Sequence, residues 1–263
     1  MESTNVQFEN SREMTLKGII DHPDGADHDD PSHDLPAAVL CHSFTGFKEI
    51  PHLEALAEEL TDRGMVALRF DFSDCVGESD GSCEDMKLTN QLDDLENALS
   101  FLEAMGEVDE DRLGVAGHSL GGMTAILVAA RDGRPDAVVP VAAPANHEGE
   151  KLFEGKELDR WKEMGHTHFP TVKRGEVKIG WAFYEDLQQY DAVDVVGDID
   201  APLRFVHGDA DDIVPLANSE MLYEAASEPK DLHVVEGADH LFRRDEHEDA
   251  MVAAVADWME QHV

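Results

Sequence analysis

The chain has 263 residues, 42% of them hydrophobic, which suffices for one large core and falls short of two full domains. It carries 58 acidic against 20 basic side chains, a formal net charge of −38, with the acids dispersed along the whole length. That balance disfavours nucleic acid and anionic membranes as partners, because both are held by basic patches. Dispersed acid is a solvation pattern and not a partner-binding tail, and repulsion on this scale is relieved by salt. The composition therefore predicts a chain that folds best in molar salt, the setting of a halophile's cytoplasm. Cys41, Cys75 and Cys83 form no CxxC pair, so neither a disulfide framework nor a zinc site is expected. The first ten residues, MESTNVQFEN, lack the basic region and apolar stretch of a signal peptide. No apolar run reaches the roughly 18 residues needed to span a membrane. The expectation is a soluble, cytoplasmic protein, with the oligomeric state left open, a homodimer included.

In chain order, residues 6–10 and 13–21 alternate enough to predict an opening β-hairpin. Residues 21–36, DHPDGADHDDPSHDLP, place His22, His28 and His33 among Asp residues, but without zinc or calcium loop spacing, so a solvated loop is expected. Apolar runs then alternate with helical patterns. The run at 37–43 precedes a helix at 51–64, and the run at 65–72 precedes a polar loop and a helix at 88–106. The run at 112–119 leads directly into a helix at 120–133, and a further run follows at 137–145. Later come a strand at 202–210, a helix at 216–227, a strand at 231–240 and a last helix at 248–263. Strand and helix alternating through short links predict an α/β fold with a mainly parallel sheet covered on both faces. The chemistry of such sheets sits at the C-terminal strand ends.

Residues 145–190 break this rhythm and hold seven of the seventeen aromatic residues. They are read as a small cap inserted into a core made of residues 1–144 and 191–263. Trp161, Trp181, Phe183 and Tyr184 are the candidates for an apolar pocket wall. The alternative is a cap whose aromatics pack only into a miniature core of their own.

Gly117-His118-Ser119-Leu120-Gly121 is a GxSxG with a strand before it and a helix after it, the context a nucleophile elbow requires. So tight a turn needs neighbours without side chains, which Gly117 and Gly121 provide, while Gly122 lets the helix pack closely. The Ser119 hydroxyl then sits at a helix N-terminus, where the dipole favours developing negative charge. A serine nucleophile needs a base and an orienting carboxylate. His240 lies between the last strand and the last helix, and Asp209, Asp211 and Asp212 follow the preceding strand. The order serine, aspartate, histidine agrees with an elbow of this type.

From about residue 35 to its end the chain resembles α/β-hydrolases of the serine-esterase type. Such enzymes often show H-G-x-x-D-x-x-V-P after the strand that bears the acid. Laid on His207 to Pro215, the resemblance implies Asp211 as the catalytic acid, with Asp212 the next choice. It also implies that AVLCHSFTGFKEI, residues 38–50, carries half of an oxyanion hole, whose donors are the backbone amides of Phe44 and Leu120. His42 would brace that loop and not serve as a second base. Two departures stand out. Ser43 replaces the usual glycine, which forfeits easy access to positive φ. The 73–77 loop lacks its first glycine, a change that reads first as simple loop drift, with a narrowed pocket or Cys75 placed beside the site as the alternatives.

The resemblance implies ester hydrolysis through an acyl-enzyme on a small-molecule ester, with Ser119, His240 and Asp211 as the triad and neither metal nor organic cofactor. The aromatic cap resembles that of feruloyl (cinnamoyl) esterases, which implies short-chain or aromatic acyl groups. A peptidase, thioesterase or lactonase uses the same triad. A binding protein that has lost turnover is the reading from a different class.

Overall fold

The computed structural model describes residues 1–25, 34–147, 153 and 156–263; His28 and His33 of the acidic loop lie outside the described residues. The chain opens with antiparallel strands β1 (Glu2–Glu9) and β2 (Thr15–His22). Next come β3 (Leu35–Cys41), α1 (Pro51–Asp62), β4 (Val66–Asp71), α2 (Leu88–Glu103), β5 (Val108–His118), α3 (Leu120–Ala129) and β6 (Ala137–Val141). After an intervening segment, β9 (Leu203–Gly208), α7 (Ala217–Ala225), β10 (Lys230–Val235) and α8 (Asp245–His262) complete the chain.

Eight strands form one sheet in the order β1-β2-β4-β3-β5-β6-β9-β10. The pairings β1–β2 and β2–β4 are antiparallel, and those from β4 through β10 are parallel. Parallel strands need helical crossovers, and those helices cover both faces. Successive side chains therefore enter opposite layers. Val39 and Leu68 pack on the side of α2 and α3, whereas Leu40 and Ala67 pack on the side of α1 and α8. Burial follows helix periodicity in α1, where Leu53, Leu56, Ala57 and Leu60 face inward. The central helix α3 is buried along its whole length, which explains its run of apolar and small residues.

The segment between β6 and β9 holds α4 (Leu158–Met164), β7 (His166–Thr171), β8 (Gly175–Gly180), α5 (Trp181–Leu187) and α6 (Ala192–Val195). β7 and β8 form a separate antiparallel hairpin in which His166 faces Gly180 and Thr171 faces Gly175. No strand is legible there in the sequence, because Pro170 and the charged residues of 173–178 interrupt any apolar alternation.

Register brings the chemistry to one edge. Cys41 at the end of β3 pairs with Gly117 of β5, and His118 pairs with Val141 of β6. Residues 42–44, Ser119, Asp211 and His240 all follow C-terminal strand ends.

Candidate active site

Ser119 caps the start of α3 at φ 56° and ψ −120°. A non-glycine residue at positive φ costs about 1–3 kcal/mol, and here the surroundings hold it. The Ser119 amide donates to Val141 O at 2.8 Å, and the Gly122 amide donates to Ser119 O at 2.8 Å. The glycines are steric necessities: a Cβ on Gly117 would lie 2.2 Å from Gly121 O, and one on Gly121 would lie 2.5 Å from His42 O. The close approach of β3, β5 and α3 at the turn leaves no room for side chains.

Ser119 Oγ donates to His240 Nε2 at 3.0 Å, and His240 Nδ1 donates to Asp211 Oδ2 at 2.7 Å. All three residues are buried, with Ser119 6% exposed. The loop after β9 offers three carboxylates, and they go to different places. Asp211 Oδ1 accepts the Ile213 and Val214 amides at 2.9 and 2.8 Å, leaving Oδ2 for the imidazole. Asp209 accepts the Gly237 amide at 2.6 Å, tying two loops together. Asp212 is exposed and borders the cavity beside Ser119. Burial alone would raise the Asp211 pKa, but hydrogen bonds from His207 and His240 outweigh it and hold the carboxyl well below the usual range.

Two further histidines support this arrangement. His118 Nε2 donates to His240 O at 2.8 Å, linking the residue before Ser119 to the backbone of His240. The ring of His52 meets that of His118 edge-on at 4.7 Å. Burial pushes His118 well below the ordinary imidazole value and His52 down to about 4, so both stay neutral at physiological pH.

The loop at 42–48 is clamped at both ends to the end of β4. His42 Nδ1 donates to Ser43 O at 2.8 Å while its Nε2 accepts the Phe72 amide at 3.1 Å, so the ring braces the loop and has no free nitrogen for proton transfer. At the other end Lys48 is 1% exposed. Its amide donates to Asp71 Oδ1 at 2.7 Å, and its Nζ donates to Asp71 Oδ2 at 2.9 Å and to Glu78 at 2.6 Å. Burial opposes the Lys48 charge, but the bonds to Glu78 and Asp71 outweigh it and raise its pKa. Arg69, paired with Asp21 at 2.7 Å, donates to Lys48 O at 3.0 Å. Lys48, Asp71 and His118 received no role from the sequence, since their partners lie far away along the chain.

Within this loop the positive φ belongs to Thr45, at 55°, and Ser43 is not among the residues with φ > 0. The serine in place of glycine therefore imposes no left-handed strain. The amides of Phe44 and Leu120 make no hydrogen bond to another described residue. The 73–77 loop is ordered by Asp94, which accepts from Ser73 N and Oγ, and by Asp74, which pairs with Arg12 at 3.0 Å. A Cβ on Gly77 would fall 2.0 Å from the Asp71 carboxyl carbon. Cys75 is buried, its thiol is pushed up by burial, and it does not border the Ser119 cavity.

That cavity, of about 340 Å3, is bordered by Ser43, Phe44, Ser119, Ile213, His240 and Leu241, among others. Trp161, Trp181, Phe183 and Tyr184 do not line it. They pack on one another and on Phe153 and Phe169, with Trp161 5.7 Å from Phe169 and 5.6 Å from Trp181. Their link to the site runs through Phe44, which stacks on Phe183 at 5.2 Å and meets Phe169 edge-on at 5.0 Å. Among the described residues no group of three or more His, Cys, Asp or Glu side chains is placed to hold a metal ion. None of the described helices is long and apolar enough to cross a membrane.

The parallel sheet, its helical cover and the strand–serine–helix turn define an α/β hydrolase. Residues 79–263 match the prolyl oligopeptidase family, and the chain belongs to it. An uncharacterized 31.7 kDa protein of Escherichia coli, from the traX-finO intergenic region, is 25% identical over 87% of this chain and 91% of its own length. The esterase domain of a Rhodothermus marinus protein superposes with a TM-score of 0.75 at 25% identity, covering 100% of this chain and 99% of that domain. Est1E of Butyrivibrio proteoclasticus, solved with ferulic acid bound, shares the fold at a TM-score of 0.78 and 22% identity over 98% of each chain.

Proposed function

We propose that the protein is a serine carboxylesterase working through an acyl-enzyme. The observation that carries this reading is the unbroken hydrogen-bonded line from Ser119 Oγ through the His240 imidazole to Asp211. Ser119 Oγ attacks the acyl carbonyl as His240 Nε2 takes its proton, and Asp211 holds the Nδ1–H tautomer and balances the imidazolium charge. The amides of Phe44 and Leu120 receive the oxyanion, a contribution of about 3 kcal/mol for a donor of this kind. The alkoxide leaves with the proton from His240. Water then attacks the acyl-enzyme, giving its proton to His240, which passes it to Ser119 Oγ as the acyl–oxygen bond breaks, releasing the acid and restoring the free hydroxyl.

Short-chain or aromatic acyl esters are the substrates proposed for the Ser119 cavity, whose size suits a compact acyl group. The ferulic acid found with Est1E, of the same fold, supports the aromatic option. Residues 145–190 act as the cap, with residues 1–144 and 191–263 as the core. The family assignment favours a second reading, a peptide amide cleaved by the same triad. Ser119→Ala should lower p-nitrophenyl acetate turnover by about 10⁴-fold or more and leave the thermal midpoint unchanged. Turnover persisting in the pure variant overturns the assignment. Wild-type protein that cleaves prolyl p-nitroanilides and leaves esters untouched selects the peptidase.

A further inference from the structure

Beside the Ser119 cavity lies a second, larger concavity of about 810 Å3, within the range that buries a sizeable organic ligand. The two share Ser43, Phe44, Leu241 and Arg243, so they are continuous. Phe47 and Ile50 contribute apolar surface, and the end of β7 at Pro170 and Thr171, with Val172 just beyond it, supplies a wall. That wall is fastened to the core: Lys173 pairs with Glu49 at 2.8 Å and lies over the Phe47 ring, and Arg174 donates to Gly77 O at 2.6 Å.

Val172 is 96% exposed and Leu241 40% exposed, placing two large apolar side chains in water at this groove on an otherwise acid-rich protein. Exposed apolar surface gathered at one concavity marks a binding function. The charges around it point to the ligand's polarity. Arg243, the cation lining the groove, is already paired with Asp239 at 2.6 Å, and Glu248 also lines it. An anionic tail would meet no unpaired cation there and would face the field of a chain with net charge −38.

Resting on the esterase reading of Ser119, we infer that this groove binds an uncharged apolar chain of the substrate, of octyl length or longer. The substrate class is thereby extended from compact esters to medium-chain ones. The chain belongs either to the acyl or to the alcohol half of the ester, and two substrate series separate these sources. One is p-nitrophenyl acetate through decanoate; the other is ethyl through octyl acetate followed by acid release.

In one of the two series kcat/KM should rise about tenfold or more from the shortest to the octyl member, because each buried methylene adds to transition-state binding. Val172→Asp and Ile50→Asp should each cut the octyl-to-short ratio by about tenfold. Both variants should fold, since Val172 is exposed and Asp is a favourable residue at the N-cap position that Ile50 occupies. Short esters turned over with a flat or falling profile in both series overturn the groove and leave the esterase reading intact. A rise that neither variant diminishes also overturns it. If no ester is turned over and a fluorophosphonate leaves Ser119 unlabelled, the esterase reading falls and takes the groove with it.

Discussion

The two regions that meet at Phe44 are held by different forces. On the core side, His42, Lys48, Asp71, Asp211 and His240 sit in directional hydrogen bonds, several of them to backbone amides. On the other side, Phe153, Trp161, Phe169, Trp181 and Tyr184 are held by ring contacts 5.0–6.4 Å apart. Hydrogen bonds fix atoms to a few tenths of an ångström, as transfer of a proton demands. Aromatic packing buries large area with looser geometry, enough to position a groove wall but not a nucleophile. The contrast teaches that one region fixes individual atoms by direction and the other fixes a surface by area.

The sharpest way to break this comparison is Lys48→Met. Removing the cation strands Asp71 in the interior, and loss of one partner from a buried pair costs about 3–5 kcal/mol. Denaturant melts should record that loss, and kcat should fall more than KM changes because the 43–47 loop loses one clamp. An unchanged melt would mean that the buried pair does not hold the loop. Trp161→Leu probes the opposite side: a truncated ring in the aromatic cluster should cost about 2–3 kcal/mol, while kcat for p-nitrophenyl acetate stays within about threefold of wild type. A collapse of kcat with an intact melt would place Trp161 in the chemistry and erase the distinction. The smallest effect is expected from Ser43→Gly. Because Ser43 carries no positive φ, activity should stay within about tenfold, or about 1.4 kcal/mol in barrier. A larger gain would show that the serine obstructs the oxyanion site.

Legibility in the sequence followed the reach of the physical cause. The elbow was readable because its cause is local: the glycines at 117, 121 and 122 answer clashes within the turn and with the neighbouring strand. The alternation of strands and helices was readable because parallel strands buried on both faces need continuous apolar runs. Asp211 stood between two other carboxylates, and only the fold shows that its Oδ2 is the one turned to His240. The role of the aromatics was undecidable by composition, since a pocket wall and a miniature core use the same residues.

What the sequence alone determined is the class of fold, the position of the serine turn and a charge of −38 spread along the chain. These depend on side-chain period, backbone sterics and composition, which act within a few residues or need no geometry at all. Tertiary structure decided which carboxylate meets the imidazole, that Lys48 reaches Asp71 across 23 positions, and that His118 reaches His240 across 122. It also decided that the end of β7 walls the groove adjoining the Ser119 cavity, and that the tryptophans line neither. Each of these is a contact between segments distant in sequence, and a buried polar group declares its partner only once the chain has closed around it.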